Sequence, residues 1–149
     1  HMIYETSMWK RLFRTPPALR EEQTFRQRAI EVLEFMGLGS VKDELAMNLP
    51  YGHQRILGVC IALATNPKLL LLDEPVTGMN RTEINTMLDL SRRIRDSGVT
   101  IVIIEHNMEA IMNLCDRIVV LNEGRKIAEG TPREIQVNEQ VIEAYLGKE

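Results

Sequence analysis

The sequence predicts an α/β fold, because strand patterns alternate with helical patterns through its second half. Residues 69–72 are four consecutive leucines, and residues 99–104 form a second apolar run that is rich in β-branched side chains. Between these runs, apolar residues recur at helical spacing from Ile84 to Ile94. Apolar runs without polar interruption are typical of parallel strands that are covered on both faces. We therefore expect two buried strands of a parallel sheet with a helix between them.

The first third of the chain is expected to be helical. A Thr-Pro-Pro break at 15–17 precedes a predicted helix from Ala18 to Met36. Gly37 is placed to end this helix in the left-handed region. Charged side chains form its solvated face, and the apolar side chains that recur at helical spacing are Phe25, Ala29, Val32, Leu33 and Met36.

Capping and turn residues define the elements that follow. Asn80 and Glu83 form a predicted capping box, and Asn107 is expected to cap the helix after the second strand. Segments 117–121 and 125–129 flank an Asn-Glu-Gly turn, which predicts a β-hairpin.

Two further helices are predicted after the hairpin. Thr131 is a capping residue, Pro132 stands at the first helical position and Glu134 at the third. A last helix is expected over residues 138–146.

Composition limits the classes of protein to which the chain can belong. It has 149 residues, 44% of them hydrophobic, and a formal net charge of −3 at pH 7. This acidic balance argues against a nucleic-acid surface, whose usual mark is a clustered basic excess. The sequence has no signal-peptide pattern and no apolar run near the length of a membrane span, so a reducing cytoplasm is the default location. Cys60 and Cys115 are isolated, and we expect them to be small buried hydrophobic side chains, with a disulfide as the alternative.

Acidic and imidazole side chains follow the two predicted strands directly. Asp73 and Glu74 end the leucine run before Pro75 turns the chain, and His106 follows the second strand. Open α/β sheets bind ligands at the carboxyl ends of their strands, so we expect these side chains on one rim. Each one alone is also explained as a solvated strand end. Together they indicate an edge that presents acid groups to Mg²⁺ and water.

Besides the acidic pair Asp73-Glu74 and His106, a third element is the segment from Asn48 to Arg55, in which Gly52 stands just before a predicted helix. A glycine there leaves backbone N–H groups free to face phosphate oxygens, and the helix dipole favours the anion. In isolation, an ordinary loop-to-helix junction is the simpler interpretation.

Taken in the order of the chain, these three elements resemble the signature motif, the Walker B motif with its catalytic glutamate, the D-loop and the histidine switch of an ATP-binding-cassette (ABC) ATPase. The similarity is greatest to the ATPase subunits of branched-chain amino acid importers and extends from about residue 15 onward. It is carried by the strings NLPYGHQR, LATNPKLLLLDEP, GMN, IEHNM, CDRIVVLNEGRKIAEGTP and VIEAYLG. The resemblance implies an ATP-hydrolysing subunit of an importer.

The resemblance also implies a role for each matching residue. Asp73 corresponds to the Mg²⁺-associated aspartate, Glu74 to the general base, and His106 to the residue that contacts the γ-phosphate. The signature loop faces ATP held by the opposite subunit of a head-to-tail dimer in this family, and it corresponds to Leu49, Pro50, Tyr51, Gly52 and His53. The D-loop, which crosses that dimer interface, corresponds to the residues from Thr77 to Asn80 and includes Gly78.

The architecture and the partners are implied in the same way. Residues 3–58 would form a helical subdomain with the signature motif at its end, and residues 59–149 the C-terminal part of a RecA-like P-loop NTPase core. The implied cofactors are ATP and Mg²⁺. The implied partners are a second ATPase subunit and transmembrane permease subunits, with no nucleic acid. Such a subunit lies in the cytoplasm, peripheral to the inner face of the cell membrane.

Some positions depart from the wider family's pattern. The signature serine and glutamine, two arginines of the next helix and the D-loop aspartate are replaced here by Pro50, His53, Ile56, Ile61 and Asn80. The sequence also contains no G-x-x-x-x-G-K-[ST], the loop that cradles nucleotide phosphates. We therefore expect the chain to be the C-terminal part of an ATPase and not to hydrolyse ATP alone.

The missing loop has a structural consequence in this family. The strand that leads into it lies beside the strand that ends here at Glu105-His106. Without that neighbour, backbone groups of the remaining strand lack partners, and such edges favour association. We expect self-association through this edge as a dimer or by a swapped element, with a rearranged sheet as the alternative.

Three alternative functions remain open from the sequence. An ATPase of lipopolysaccharide export shares the Ala-Tyr-Leu-Gly tail at 144–147, and a non-enzymatic interaction module with relic nucleotide residues agrees with the missing phosphate loop. A soluble ABC-type ATPase of DNA repair or translation agrees poorly with the acidic balance. A phosphate loop encoded upstream of Ile3 would favour the enzyme, and a natural start codon there would favour the module.

Overall fold

A computed structural model of the chain describes residues 16–146, in which helices and strands alternate. The helices are α1 (Pro16–Phe35), α2 (Tyr51–Leu63), α3 (Arg81–Asp96), α4 (Met108–Leu114), α5 (Pro132–Gln136) and α6 (Glu139–Leu146), with 3₁₀ turns at Gly39–Val41 and Ala46–Asn48. The strands are β1 (Leu69–Asp73), β2 (Thr100–Ile104), β3 (Ile118–Asn122) and β4 (Arg125–Gly130). Within this range no helix is both long enough and apolar enough to cross a membrane.

The chain divides into two compact units. The first contains the described residues up to 71 together with 95–102, and the second contains 72–94 together with 103 to the end of the described range. The helical subdomain that the sequence predicts over 3–58 stays a prediction, and its residues 3–15 lie outside the described range.

In the first unit, α1 packs against α2 and ends where the sequence predicts. Gly37 has φ +77°, and the Leu38 N–H donates to the Leu33 carbonyl at 2.7 Å, which closes the last turn in a Schellman-type arrangement. The flanking side chains of Met36 and Leu38 are buried. The helix begins two residues earlier than predicted, at Pro16, because a proline is well suited to the first helical turn.

Strands β1 and β2 pair in parallel, as the sequence predicts. The Thr100 N–H donates to the Lys68 carbonyl where the strands begin, and the Glu74 N–H donates to the Ile104 carbonyl where they end. Both strands therefore present their carboxyl ends at the same edge.

The prediction that both faces of these strands are covered is wrong for the described residues. Leu70 and Leu72 are buried, whereas Leu71 and Ile104 are 70% and 64% exposed. Successive side chains of a strand point to opposite faces, so covering one face of β1 buries only every second leucine. An uninterrupted apolar run cannot tell a strand with one packed face from a strand with two.

The second unit has its apolar cluster beneath the β3–β4 hairpin. Its buried residues are Ile111, Ile118, Ile135 and Val141. The hairpin pairs antiparallel, and its turn residues Glu123 and Gly124 have φ +48° and +76°, as a two-residue type I′ turn requires. The hairpin prediction is confirmed.

Local capping also agrees with the sequence. Asn107 Oδ1 accepts the Ala110 N–H at 3.0 Å at the start of α4. At α5, the Glu134 carboxylate accepts the Thr131 N–H at 2.7 Å while the Thr131 hydroxyl accepts the Glu134 N–H. The hydrogen bond from the Thr131 backbone, followed by that from its hydroxyl, lowers the pKa of the Glu134 carboxyl.

Both cysteines are free thiols, and Cys60 is buried in α2. Burial raises the pKa of Cys60 from 9.0 to about 11. Because only the thiolate reacts, we expect iodoacetamide at pH 8 to modify native Cys60 roughly 100-fold more slowly than Cys60 in urea-unfolded protein. Peptide mass spectrometry at timed intervals measures both rates. Equal rates in the native and unfolded protein would contradict this placement of the thiol.

Candidate catalytic edge and signature segment

Glu74 and His106 lie side by side at the carboxyl ends of β1 and β2. The His106 Nδ1 is 3.4 Å from Glu74 Oε1, and both side chains are at least half exposed. The two side chains attract each other as charges only when His106 is protonated, and water screens that attraction at this exposure. The prediction that these residues share one rim of the sheet is confirmed. Their exposure leaves both accessible to a ligand.

The backbone of Glu74 adopts an uncommon conformation for a residue with a side chain. Its φ of +45° lies in the left-handed region, which costs free energy for any residue other than glycine. Its N–H donates to the Ile104 carbonyl at 2.9 Å, and its carbonyl accepts the Thr77 N–H at 3.3 Å. The turn therefore directs the Glu74 carboxylate away from the strand register and toward His106.

Thr77 orients the Glu74 carboxylate from the other side. The Thr77 hydroxyl donates to Glu74 Oε2 at 3.2 Å, while His106 lies next to Oε1. Sequence reasoning assigned Thr77 only to the D-loop and missed this contact. The spacing of three residues after a glutamate in a tight turn is the signal that could have indicated it.

Asp73 ends β1 with an exposed carboxylate. Among residues 16–146 no group of three or more His, Cys, Asp or Glu side chains is arranged to hold a metal ion. Mg²⁺ in nucleotide sites is held by one or two carboxylates together with substrate phosphates and water, rather than by a cage of protein ligands. The exposed carboxylate of Asp73 is a ligand of the type that Mg²⁺ prefers, so its chemistry fits an ion that would arrive with a nucleotide.

Asn80 uses its side chain to cap α3. Its Oδ1 accepts the N–H groups of Thr82 and Glu83 at 3.0 and 3.1 Å, and Glu83 Oε2 accepts the Asn80 N–H at 2.9 Å. The predicted capping box is confirmed. Gly78 lies in the exposed turn before it with φ +78°. The D-loop segment is thus a fixed turn that ends in a helix cap.

The signature segment, residues 48–55, belongs to the first compact unit. Pro50 is the residue before α2 and provides no side-chain cap. Tyr51 is 46% exposed, and the Arg55 Nε donates to its hydroxyl at 2.8 Å. The Arg55 guanidinium also lies over the Tyr51 ring, 5.3 Å from its centroid. An aromatic ring with a cation beside it therefore marks the start of α2.

The inner side of the same segment is closely packed. Leu49 and Gly52 are buried, and the Gln54 amide donates to the Leu49 carbonyl at 2.8 Å. The Nδ1 atom of His53 is buried without a hydrogen-bond partner among the described residues. Gly52, which the sequence predicts just before the helix, is instead the second residue of α2 and is buried, so the exposed side of the segment is formed by Pro50 and Tyr51.

Two family models match the sequence. The model described as "ABC transporter" matches residues 2–77, and the one described as "Branched-chain amino acid ATP-binding cassette transporter" matches residues 125–149. The first match includes the signature segment together with Asp73 and Glu74.

Curated relatives and a solved structure agree with these matches. The high-affinity branched-chain amino acid transport ATP-binding protein LivG of Salmonella typhimurium is 39% identical over 99% of this chain and 58% of its own length. The lipopolysaccharide export system ATP-binding protein LptB of Haemophilus influenzae is 32% identical over 85% of this chain and 53% of its own length. The chain thus spans little more than half of these relatives.

The fold is similar to that of MJ1267, an ATP-binding cassette of an ABC transporter, in its ADP conformation. The TM-score is 0.78 at 29% sequence identity, and the match covers 84% of this chain and 51% of the MJ1267 chain. The match to the ABC transporter model covers more than half of this chain, and the predicted resemblance is confirmed. The chain belongs to the ABC transporter family.

Proposed function

We propose that this chain is the part of an importer's ATP-hydrolysing subunit that carries the general base, the Mg²⁺-facing aspartate and the signature loop, and that the cargo is branched-chain amino acids. The observation that carries this proposal is the pairing of Glu74 with His106 at 3.4 Å on the carboxyl edge of a parallel strand pair. The cargo rests on the likeness to LivG and on the family match at residues 125–149.

Each residue of the catalytic edge has a proposed task. ATP bound with Mg²⁺ supplies the phosphoryl group that water attacks. Glu74 accepts a proton from that water through a carboxylate that Thr77 orients. His106 would contact the γ-phosphate, and Asp73 would hold Mg²⁺ that arrives with ATP. Phosphoryl transfer depends on positioning and on charge neutralisation, and both strand ends supply rigid positions for these groups.

The signature segment is proposed to act on a second nucleotide. Leu49, Pro50, Tyr51, Gly52 and His53 would face ATP held by the partner ATPase subunit of a head-to-tail dimer, and Gly78 and Asn80 would lie at its interface. The N-terminus of α2 supplies N–H groups and a favourable dipole for an anion. Transmembrane permease subunits are the other proposed partners, which would place the protein at the inner face of the cell membrane.

The absence of a phosphate-binding loop from the sequence limits what these residues do alone. The sequence contains no G-x-x-x-x-G-K-[ST] loop, which would bind the phosphates of the nucleotide. We propose that hydrolysis is a property of the whole protein and that this chain alone does not hydrolyse ATP. Lipopolysaccharide export is the second candidate, supported by LptB at the lower identity of 32%.

The test of the proposed function is calorimetric titration of the whole ATPase subunit with ATP, with and without Mg²⁺. We expect Asp73→Asn to weaken binding of Mg-ATP by about ten- to a hundredfold, because a charge-assisted contact is lost. Binding of ATP in EDTA should not change. The matched control is Asp89→Asn, an exposed aspartate on α3. Equal loss with and without Mg²⁺ would contradict a metal-facing role for Asp73.

A further inference from the structure

The Glu105 side chain holds two loops of the catalytic edge at once. Its Oε1 accepts the Val76 N–H at 3.0 Å, from the turn that follows Glu74. Its Oε2 accepts the N–H groups of His106 and Asn107 at 3.2 and 3.3 Å. One carboxylate therefore accepts backbone donors from both loops, and each oxygen serves a different loop.

The first of these contacts fixes the conformation of Glu74. The end of β2 holds the turn at two points, because the Ile104 carbonyl accepts the Glu74 N–H and Glu105 accepts the Val76 N–H. These contacts lie on either side of the residue's left-handed backbone, a conformation that persists only where surrounding contacts enforce it. Loss of the Val76 contact would free the C-terminal side of this turn.

The second contact fixes His106. Its own N–H and that of Asn107 both donate to Glu105, and the Asn107 side chain caps α4. His106 thus lies between β2 and a capped helix, with its backbone bound to the same carboxylate that binds the Glu74 turn.

The surroundings of the Val76 N–H make its bond to Glu105 difficult to replace with water, whereas the bond from the His106 N–H is exposed. Glu105 is half-buried, Val76 is buried, and both line a small cavity formed mainly by apolar side chains of α3 and α4. A buried donor that loses its acceptor pays a desolvation cost, so the turn that carries Val76 would rearrange rather than stay in place unpaired.

We propose that Glu105 is a positioning residue for hydrolysis, which sets the distance between the Glu74 carboxylate and the His106 imidazole. This inference rests on the proposed ATPase function. The sequence pattern predicts Glu105 only as the end of the second strand.

Hydrogen exchange on the purified protein tests the contacts without any need for activity. Glu105→Gln replaces one of the two acceptor oxygens with an NH₂ group, so it cannot serve both loops. We expect the amides of Val76, His106 or Asn107 to exchange about tenfold faster. The matched control is Glu109→Gln, which removes the same charge from an exposed position on α4 and should leave these amides unchanged.

A second variant separates the two loops and remains informative if Glu105→Gln fails to fold. Glu105→Asp keeps the charge and can still accept from the next two residues, as in an Asx turn, but it is too short for Val76. We expect faster exchange at Val76 with little change at His106 and Asn107. Its kcat for ATP in the whole subunit should fall by about 10- to 100-fold, with KM nearly unchanged.

Each outcome has a defined meaning. Faster exchange at Val76 together with a lower kcat supports the positioning role. Faster exchange with a normal kcat would show a purely structural contact and overturn the proposal, and unchanged exchange would overturn the contact itself. If Glu74→Gln leaves hydrolysis intact in the same assay, the proposed function fails, while the exchange result still decides whether Glu105 joins the loops.

Discussion

Under the proposed function, Glu74→Gln in the whole protein is expected to lower kcat for ATP hydrolysis by about 10²- to 10⁴-fold, the range attributed to a positioned general base. The substitution keeps the size of the side chain and removes its ability to accept a proton. The Glu74 carboxylate lies between the Thr77 hydroxyl and the His106 ring, so a neutral amide at this place changes little else. Phosphate release at saturating Mg-ATP measures kcat, and calorimetry should show that nucleotide binding is kept.

Glu109→Gln is the control for this experiment. Glu109 is an exposed glutamate on α4 whose only described ion pair, with Arg81, lies at the surface. The kcat of the Glu109→Gln variant should equal that of the unmodified protein. Phosphate release by Glu74→Gln within about twofold of the control would exclude Glu74 as the base, since the loss expected from a general base is far larger.

Ile135→Ala is expected to lower the free energy of unfolding by about 2–5 kcal/mol, because it removes buried methyl and methylene groups and leaves a cavity. Ile135 is 1% exposed and belongs to the cluster beneath the hairpin with Ile111, Ile118 and Val141. Urea unfolding followed by circular dichroism measures the change. The slope of the free energy of unfolding against urea concentration should be the same in the variant and in the unmodified protein.

Val137→Ala is the matched control, two residues further along the chain. Val137 is 74% exposed, so its truncation should change the free energy of unfolding by no more than about 0.5 kcal/mol. If the two variants unfold at the same urea concentration, the cluster around Ile135 does not stabilise the second unit as the structure indicates.

Elements whose signals are local were predictable from the sequence. The capping boxes at Asn80 and Thr131 form between residues three apart, and the ends of α1 and of the hairpin depend on Gly37 and Gly124. Each of these contacts depends on a few neighbouring residues, so the local sequence specifies it almost completely. The placement of Glu74 and His106 on one edge was also predictable, because parallel strands share the edge at which they end.

Features that depend on distant parts of the chain were not predictable. The apolar run of β1 gave no information on how many of its faces are covered, and Leu71 is exposed where burial was expected. The bond from the Val76 N–H to the Glu105 carboxylate requires a meeting of two loops that the residue types alone do not specify. Glu105 and Val76 are 29 residues apart in the sequence.

The sequence by itself determined the family, the order of strands and helices, and the identity of the acid and imidazole groups, because these depend on residue type and spacing. Only the tertiary structure decided how those groups are held. The left-handed backbone at Glu74, the 3.4 Å approach of His106 and the bridging carboxylate of Glu105 all arise where two loops meet after separate strands. Such contacts exist only once the strands have paired, since pairing brings together residues that local propensity cannot connect.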